Sequence, residues 1–411
     1  MQAPVKSEWK PIRASVSSLR MTNPIRALLE TIKVPENPEK EMIDLSIGDP
    51  TVYDNLSVHP FVKEELKKVV DSPLRSFHGY VHSAGSSEAK RAVAQKFTSP
   101  ESPLRETDII LTSGCSGALE IAIKAFCNPG DNILLPRPGF SLYQTICEHL
   151  DVKWKHYNLL PEREWEVDLE QLSSLVDERT KVILVNNPSN PCGSVFSREH
   201  IKAILEIAEK HQLPIISDEV YYDMVFPSSG KQFESFGRVS EDVPVLVVGG
   251  IAKRVGWIQI HDRNGLLEEV RQGLNRLTTL ILGPNTLVQG VLPQMLHNTP
   301  EEFYQHSLSQ LEANAQLLVE QLANVPGLKV IKPSGAMYVM MGIEVEKFED
   351  IKDDVDFTQK LLAEECVLVL PGTIFQIPNY VRLVICPTLD KLRLVCERLA
   401  SFSARHAKKR E

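Results

Sequence analysis

The chain has 411 residues, with 45 Lys and Arg against 54 Asp and Glu, a formal charge of −9, 43% hydrophobic and 24% charged residues. This composition excludes bulk disorder and leaves no basic footprint for nucleic acid, the short basic run 405–410 reading as a solvated terminus. Seven cysteines without a C-x-x-C pair exclude a disulfide framework and a structural zinc site, and point to a reducing, cytoplasmic compartment, with a mitochondrial presequence the weaker alternative.

In chain order, residues 1–21 read as an N-terminal arm. Residues 22–60 read as the first part of a small domain, in which 43–47 is a short strand running into the turn Gly48-Asp49-Pro50. Residues 61–305 form a large domain. Its apolar runs at 108–112, 132–135, 152–157, 181–185, 214–217, 243–248 and 257–260 are mostly continuous, as in buried parallel strands. Between them, stretches such as 116–126, 140–150 and 198–211 repeat apolar residues three and four positions apart. The combination predicts an α/β domain, a mostly parallel sheet covered by helices. The longest stretch free of charge, 277–300, is interrupted by Pro284, Asn285, Gln289, Pro293 and Gln294, which excludes a membrane span. Residues 306–411 complete the small domain as an α+β unit. Long amphipathic helices at 300–324, 355–365 and 387–406 alternate there with short strands near Met337, Val367 and Val381.

In open α/β sheets, ligands lie outside the carboxyl ends of the strands. Four such ends carry unusual polar sequence. The first runs into Thr112-Ser-Gly-Cys-Ser-Gly117 and a helix, which suits a phosphate at a helix N-terminus, although a plain N-cap by Ser113 or Ser116 explains it equally well. The second enters Asn186-Asn-Pro-Ser-Asn-Pro-Cys-Gly193, either turn chemistry or a rigid loop that holds an amide at a site. The third delivers Asp218-Glu219-Val220-Tyr221. A carboxylate after a buried strand needs a partner, its bland reading being a helix cap. The fourth ends in Gly249-Gly-Ile-Ala-Lys253, whose apolar approach lowers the pKa of an amine, as a nucleophilic lysine requires, whereas a lone lysine at a strand end is usually a surface residue.

Together these four ends supply an amine, a carboxylate, an amide and a phosphate cradle, the residue types that pyridoxal 5′-phosphate (PLP) requires. Over nearly its whole length the chain resembles the fold-type I PLP-dependent aminotransferases. The resemblance is carried by Asn23-Pro-Ile-Arg26, Leu45-Ser-Ile-Gly-Asp-Pro-Thr51, Leu111-Thr-Ser-Gly-Cys-Ser116, Pro136-Arg-Pro-Gly-Phe-Ser-Leu-Tyr143 and Asn187-Pro-Ser-Asn-Pro-Cys-Gly-Ser194. It continues through Ser217-Asp-Glu-Val-Tyr221, Gly249-Gly-Ile-Ala-Lys-Arg254, Leu282-Gly-Pro-Asn285 and Pro333-Ser-Gly-Ala-Met-Tyr338. It implies a large domain with a mostly parallel seven-stranded sheet beside a smaller α+β domain, PLP as cofactor, amino acid and 2-oxo acid substrates, and a homodimer with shared active sites. The implied reaction moves the amino group of tyrosine or another aromatic amino acid to 2-oxoglutarate. A catalytically silent homologue acting by interaction, an aminotransferase of other substrate range, and a C–S lyase or decarboxylase on the same fold stay open.

By resemblance, Lys253 binds the cofactor and moves the substrate α-proton, Asp218 pairs with the pyridinium nitrogen, and Asn190 and Tyr221 contact the phenolic oxygen. Phe140 stacks on the ring, and Ser116 with the amides of Gly114 and Cys115 holds the phosphate. Arg382 takes the substrate α-carboxylate, Gly48 lies beside the substrate, and Tyr80 reaches the partner subunit's phosphate. No metal is implied. The pattern departs at one place. In the family the lysine is followed eight positions later by an arginine, in a Trp-Arg-x-Gly-Trp context, that clamps the phosphate. Here Lys253 is followed at once by Arg254-Val255-Gly256-Trp257, a deficit of about seven residues. Arg254 matches either the arginine beside the lysine or the clamp, and not both. A tight turn is expected there, with weaker cofactor retention and impaired activity unless Arg254 substitutes.

Overall fold

The computed structural model describes residues 12–31, 40–251 and 255–408. Lys253, Arg254 and the end of the basic tail lie outside the described residues. The large domain is built on β1 (Ile109–Thr112), β2 (Asn132–Arg137), β3 (Lys153–Leu160), β4 (Glu166–Val167), β5 (Thr180–Asn186), β6 (Ile215–Asp218), β7 (Val245–Ile251) and β8 (Val255–His261), side by side in the order β1-β8-β7-β6-β5-β2-β3-β4. Neighbours from β7 through β6, β5 and β2 to β3 run parallel. β8 is antiparallel to both β1 and β7. The seven apolar runs of the sequence thus become the seven main strands, and the two-residue β4 extends the sheet antiparallel to β3.

The continuous apolar runs are explained by burial on both faces. Along β5, Val182 and Leu184 enter one apolar cluster while Ile183 and Val185 enter another. Leu246 and Val248 of β7 likewise separate from Val245 and Val247, because alternate side chains point to opposite faces. The helices Gly114–Phe126 and Leu142–Leu150 cover the first face through Leu119, Ile123, Tyr143 and Ile146, and Arg198–Lys210 covers the second through Ile201, Ile204 and Ala208. The polar-interrupted stretch 277–300 forms the helix Thr286–Asn298, capped by the Asn285 side chain and containing Pro293. No helix among the described residues is long and apolar enough to cross a membrane.

The small sheet is antiparallel: β9 (Leu328–Val330), β10 (Tyr338–Ile343), β11 (Leu370–Pro371) and β12 (Tyr380–Val384) lie in the order β9-β10-β12-β11. Helices Glu301–Leu322, Asp354–Glu365 and Leu389–His406 pack on it, with Ile43, Leu45 and Leu56 from the N-terminal segment in the same cluster. Ile43–Asp44 pairs in parallel with Val367–Leu368. The two domains meet where Gly193 of the Asn-Pro loop accepts backbone hydrogen bonds from Ser334 (2.7 Å) and Gly335 (2.9 Å), and where the Ala336 amide donates to the Met224 carbonyl (2.8 Å). A Cβ on Gly193, which has φ +65°, would stand 2.5 Å from the Tyr338 carbonyl oxygen, so only glycine permits this approach.

Candidate active site

The helix Gly114–Phe126 starts directly after β1, and its N-cap residue, Ser113, makes no side-chain capping bond. The first-turn amides therefore keep hydrogen-bonding capacity at the positive end of the helix, an arrangement suited to a phosphate. Ser113 and Ser116 are exposed at the same place. The β7–β8 hairpin closes on it with glycines. A Cβ on Gly256 would stand 2.2 Å from the Gly114 carbonyl carbon, and one on Gly250 would stand 3.4 Å from the Cys115 amide nitrogen. Gly256→Ala is therefore expected to push the hairpin off the helix N-terminus. The check is calorimetry: the melting temperature falls by several degrees and phosphate-bearing ligands bind at least about tenfold more weakly.

The hairpin register pairs Ile251 with Val255, so residues 252–254 are the whole connection after the lysine-bearing strand, as the sequence predicts. Lys253 and Arg254, the candidate cofactor lysine and phosphate contact, belong to it and lie outside the described residues.

Asp218 closes β6 and is 3% exposed. Its carboxylate accepts from the Tyr143 hydroxyl (2.8 Å), the Val220 amide (3.2 Å) and the Cys115 thiol (3.7 Å). It forms no ion pair among the described residues, and burial pushes its pKa up to about 6, against the pull of these three donors. Such a carboxyl suits a cationic ring nitrogen. Phe140 stands on the loop before the helix Leu142–Leu150, edge-on to Tyr143 at 5.7 Å. In the sequence Tyr143 lies within the stretch Pro136–Tyr143, and its position one helical turn after Phe140 is the signal that could have marked it. Glu219 points the other way, accepting from Ser217 Oγ (2.8 Å) and the Phe236 amide (2.9 Å), and burial raises its pKa to about 7.

The Asn-Pro loop is buried and satisfies backbone polar groups internally. Asn186 donates to the Asp218 carbonyl (2.9 Å) and accepts from the Asn190 amide (2.7 Å), and Asn187 accepts from the Phe196 amide (2.9 Å). This chain of bonds places the Asn190 side chain opposite β12. There Arg382, 3% exposed, donates to Asn190 Oδ1 (2.9 Å) and to the Ser46 carbonyl (2.5 Å). Its guanidinium carbon lies 4.5 Å from the centre of the Tyr338 ring and 4.9 Å from that of Phe375. Arg382 Nε has no partner, no carboxylate pairs with the guanidinium among the described residues, and burial lowers its pKa. A buried cation held by two aromatic faces and two neutral oxygens is prepared for an incoming carboxylate. Its strand lies between β10 and β11, so the guanidinium is neither at a sheet edge nor solvated.

Tyr221 is half-buried, and its hydroxyl shares a 2.8 Å hydrogen bond with that of Tyr338. A Cβ on Gly48 would stand 2.4 Å from the Tyr338 hydroxyl, which accounts for glycine in the turn after the first strand. The structure therefore joins Asp218, Asn190 and Arg382 through hydrogen bonds by way of Asn186, and brings Tyr221 and Gly48 to Arg382 through Tyr338, whose ring lies under the guanidinium. Tyr80 stands apart, 89% exposed. No group of three or more His, Cys, Asp or Glu side chains that could hold a metal occurs among the described residues.

The model of the family "Aminotransferase class I and II" matches residues 40–399. A tyrosine aminotransferase of Bos taurus is 49% identical to the chain, over 98% of it and 90% of the relative, and one of Dictyostelium discoideum is 42% identical over the full length of both. The crystal structure of tyrosine aminotransferase from Leishmania infantum superimposes with a TM-score of 0.91 at 35% identity, covering 97% of this chain and all of that one. The match along residues 40–399, on a sheet of this order, places the protein in the class I and II aminotransferase family.

Proposed function

We propose that the protein transfers the amino group of tyrosine, or another aromatic amino acid, to 2-oxoglutarate with PLP as cofactor. The carrying observation is that, among the described residues, the site is charge-incomplete at two linked points, a buried carboxyl without a cation at Asp218 and a buried guanidinium without an anion at Arg382. A cofactor with a protonated ring nitrogen completes the first, and an amino acid carboxylate completes the second. The residues present fit the group: uncapped amides at Gly114–Ser116 suit its phosphate, Phe140 its ring face, and Asn190 and Tyr221 its phenolic oxygen. When bound, PLP supplies an electron-withdrawing ring that stabilises negative charge at the substrate Cα.

In this reading Asp218 keeps the ring nitrogen protonated, and Tyr143 and the Val220 amide hold the carboxylate in place. Arg382 orients the substrate through its α-carboxylate, with Asn190 fixing the guanidinium. Lys253 binds the cofactor and its Nζ takes the proton from Cα. The names of the similar proteins support an aromatic donor. A donor panel with 2-oxoglutarate as acceptor tests it. Tyrosine or phenylalanine turns over fastest, and the reading is lost if only non-aromatic donors react.

The active site is proposed to be completed by a second copy of the chain. Ser83, three residues after the exposed Tyr80, accepts a hydrogen bond from Thr278 Oγ1 (2.9 Å), which ties the Tyr80 loop to an exposed apolar turn, Leu280 (68% exposed), Ile281 (64%) and Leu282. An aromatic side chain this exposed beside such a patch suits an interface. The three-residue connection after β7 is the observation behind a second reading, a catalytically silent homologue that keeps the fold and acts by interaction. Exchange of the substrate α-proton for solvent deuterium separates the two, since a slow aminotransferase still performs it and a silent homologue does not.

A further inference from the structure

Tyr338 has no part in the assignments above, yet it touches both halves of the site. It is the first residue of β10 and pairs with Val384, while Arg382 pairs with Met340 two positions on. Tyr338 and Arg382 are thus diagonal neighbours on one sheet face, which brings the ring under the guanidinium at 4.5 Å. The segment that leads into it is tied to the large domain through Ser334, Gly335 and Ala336, so the ring cannot drift with the small sheet alone. Its hydroxyl meets Tyr221 at 2.8 Å, and the backbone at Gly48 leaves it no room to turn away.

Two hydroxyls that share one hydrogen bond have one proton to spare. Burial raises the pKa of both hydroxyls; the Arg382 charge opposes it, standing second among the causes at Tyr338 and last at Tyr221. The 2.8 Å contact allows either hydroxyl to donate, and with Tyr338 donating, the spare proton is the one on Tyr221. A hydroxyl that accepts a hydrogen bond becomes a stronger donor in turn.

We propose that Tyr338 is a positioning residue with two separable tasks: its ring holds Arg382 for the substrate carboxylate, and its hydroxyl donates to Tyr221 so that Tyr221 donates to the cofactor's phenolic oxygen. The inference rests on the PLP reading above. It makes Tyr338 the link between carboxylate recognition in the small domain and the cofactor in the large one.

Two variants of the PLP-loaded protein test it. Tyr338→Phe keeps the ring and removes the hydroxyl. The pH midpoint of the cofactor's visible absorption rises by about half to one unit, because the anionic phenolic oxygen loses part of its donor, while affinity for the monocarboxylate 3-phenylpropionate stays within about twofold. Tyr338→Leu removes both. It raises the midpoint equally and weakens 3-phenylpropionate roughly three- to tenfold. A midpoint unchanged in Tyr338→Phe overturns the hydroxyl's task, and a Tyr338→Phe variant that loses carboxylate affinity overturns the ring's. The Phe variant alone decides if the Leu variant fails to fold. A parent protein that takes up no PLP overturns the functional reading and this inference with it, whereas normal uptake with an unshifted midpoint defeats the inference alone.

Discussion

Asp218→Asn is expected to stabilise the cofactor-free protein at neutral pH and to disable it as an enzyme. The carboxyl titrates at about 6 in the fold against 3.8 in an unstructured chain, because burial disfavours its charge. The folded state therefore binds the proton more tightly. Stability from this group is fully present below pH 4, is lost as the pH rises from about 4 to 6, and stays lost above, a difference of about 3 kcal/mol in order of magnitude. Asparagine carries no charge at any pH. Its oxygen still accepts from the Val220 amide, and its NH2 donates to a Tyr143 hydroxyl that now accepts. Thermal unfolding across pH 4–8 checks this: the variant's advantage grows between pH 4 and 6 and then levels off. Glu219 contributes its own decline between about 4.5 and 7, slightly smaller in the variant because the Asp218 charge is one of the causes that raise it. Activity moves the other way. Losing the counterion of a buried ring cation costs about 3–5 kcal/mol, so kcat/KM falls roughly a hundred- to ten-thousandfold. An Asp218→Asn variant that is less stable than its parent at pH 7.5 would refute the account of this carboxyl.

The second large effect is at Arg382. Arg382→Lys leaves a cation but loses the planar fork, the stacking between Tyr338 and Phe375 and the contact to Asn190. A buried carboxylate that loses its charge-assisted pair costs about 2–5 kcal/mol, so kcat/KM for tyrosine falls roughly thirtyfold to several thousandfold. The discriminating measurement is binding of tyrosine against tyramine, which lacks the carboxylate. The variant weakens tyrosine strongly and leaves tyramine nearly unchanged. Equal losses for both amines would show that the arginine supports the fold and not the substrate.

The strands were readable because both faces of the sheet are covered, and burial on both sides writes itself into the chain as unbroken apolar runs. Loop 186–193 was readable for a related reason, since a buried loop of Asn and Pro must satisfy its own backbone, as Asn186 and Asn187 do. The helices Pro60–Asp71 and Ser87–Phe97 were not singled out, their apolar faces being short and mixed with charge. Within the site, Asp218, Asn190 and Arg382 could be named from motifs, but Tyr143 and Tyr338 could not be given tasks. Tyr143 meets Asp218 across 75 positions and Tyr338 meets Tyr221 across 117.

By itself the sequence determined the order of strands and helices, the residue types at the strand ends and the three-residue connection after β7, because each of these is a property of neighbours along the chain. Only the tertiary structure decided which charges are left uncompensated. Whether a carboxyl rises to about 6 or a guanidinium waits without an anion depends on desolvation and on donors from distant segments, and those are settled when the two domains close on one another.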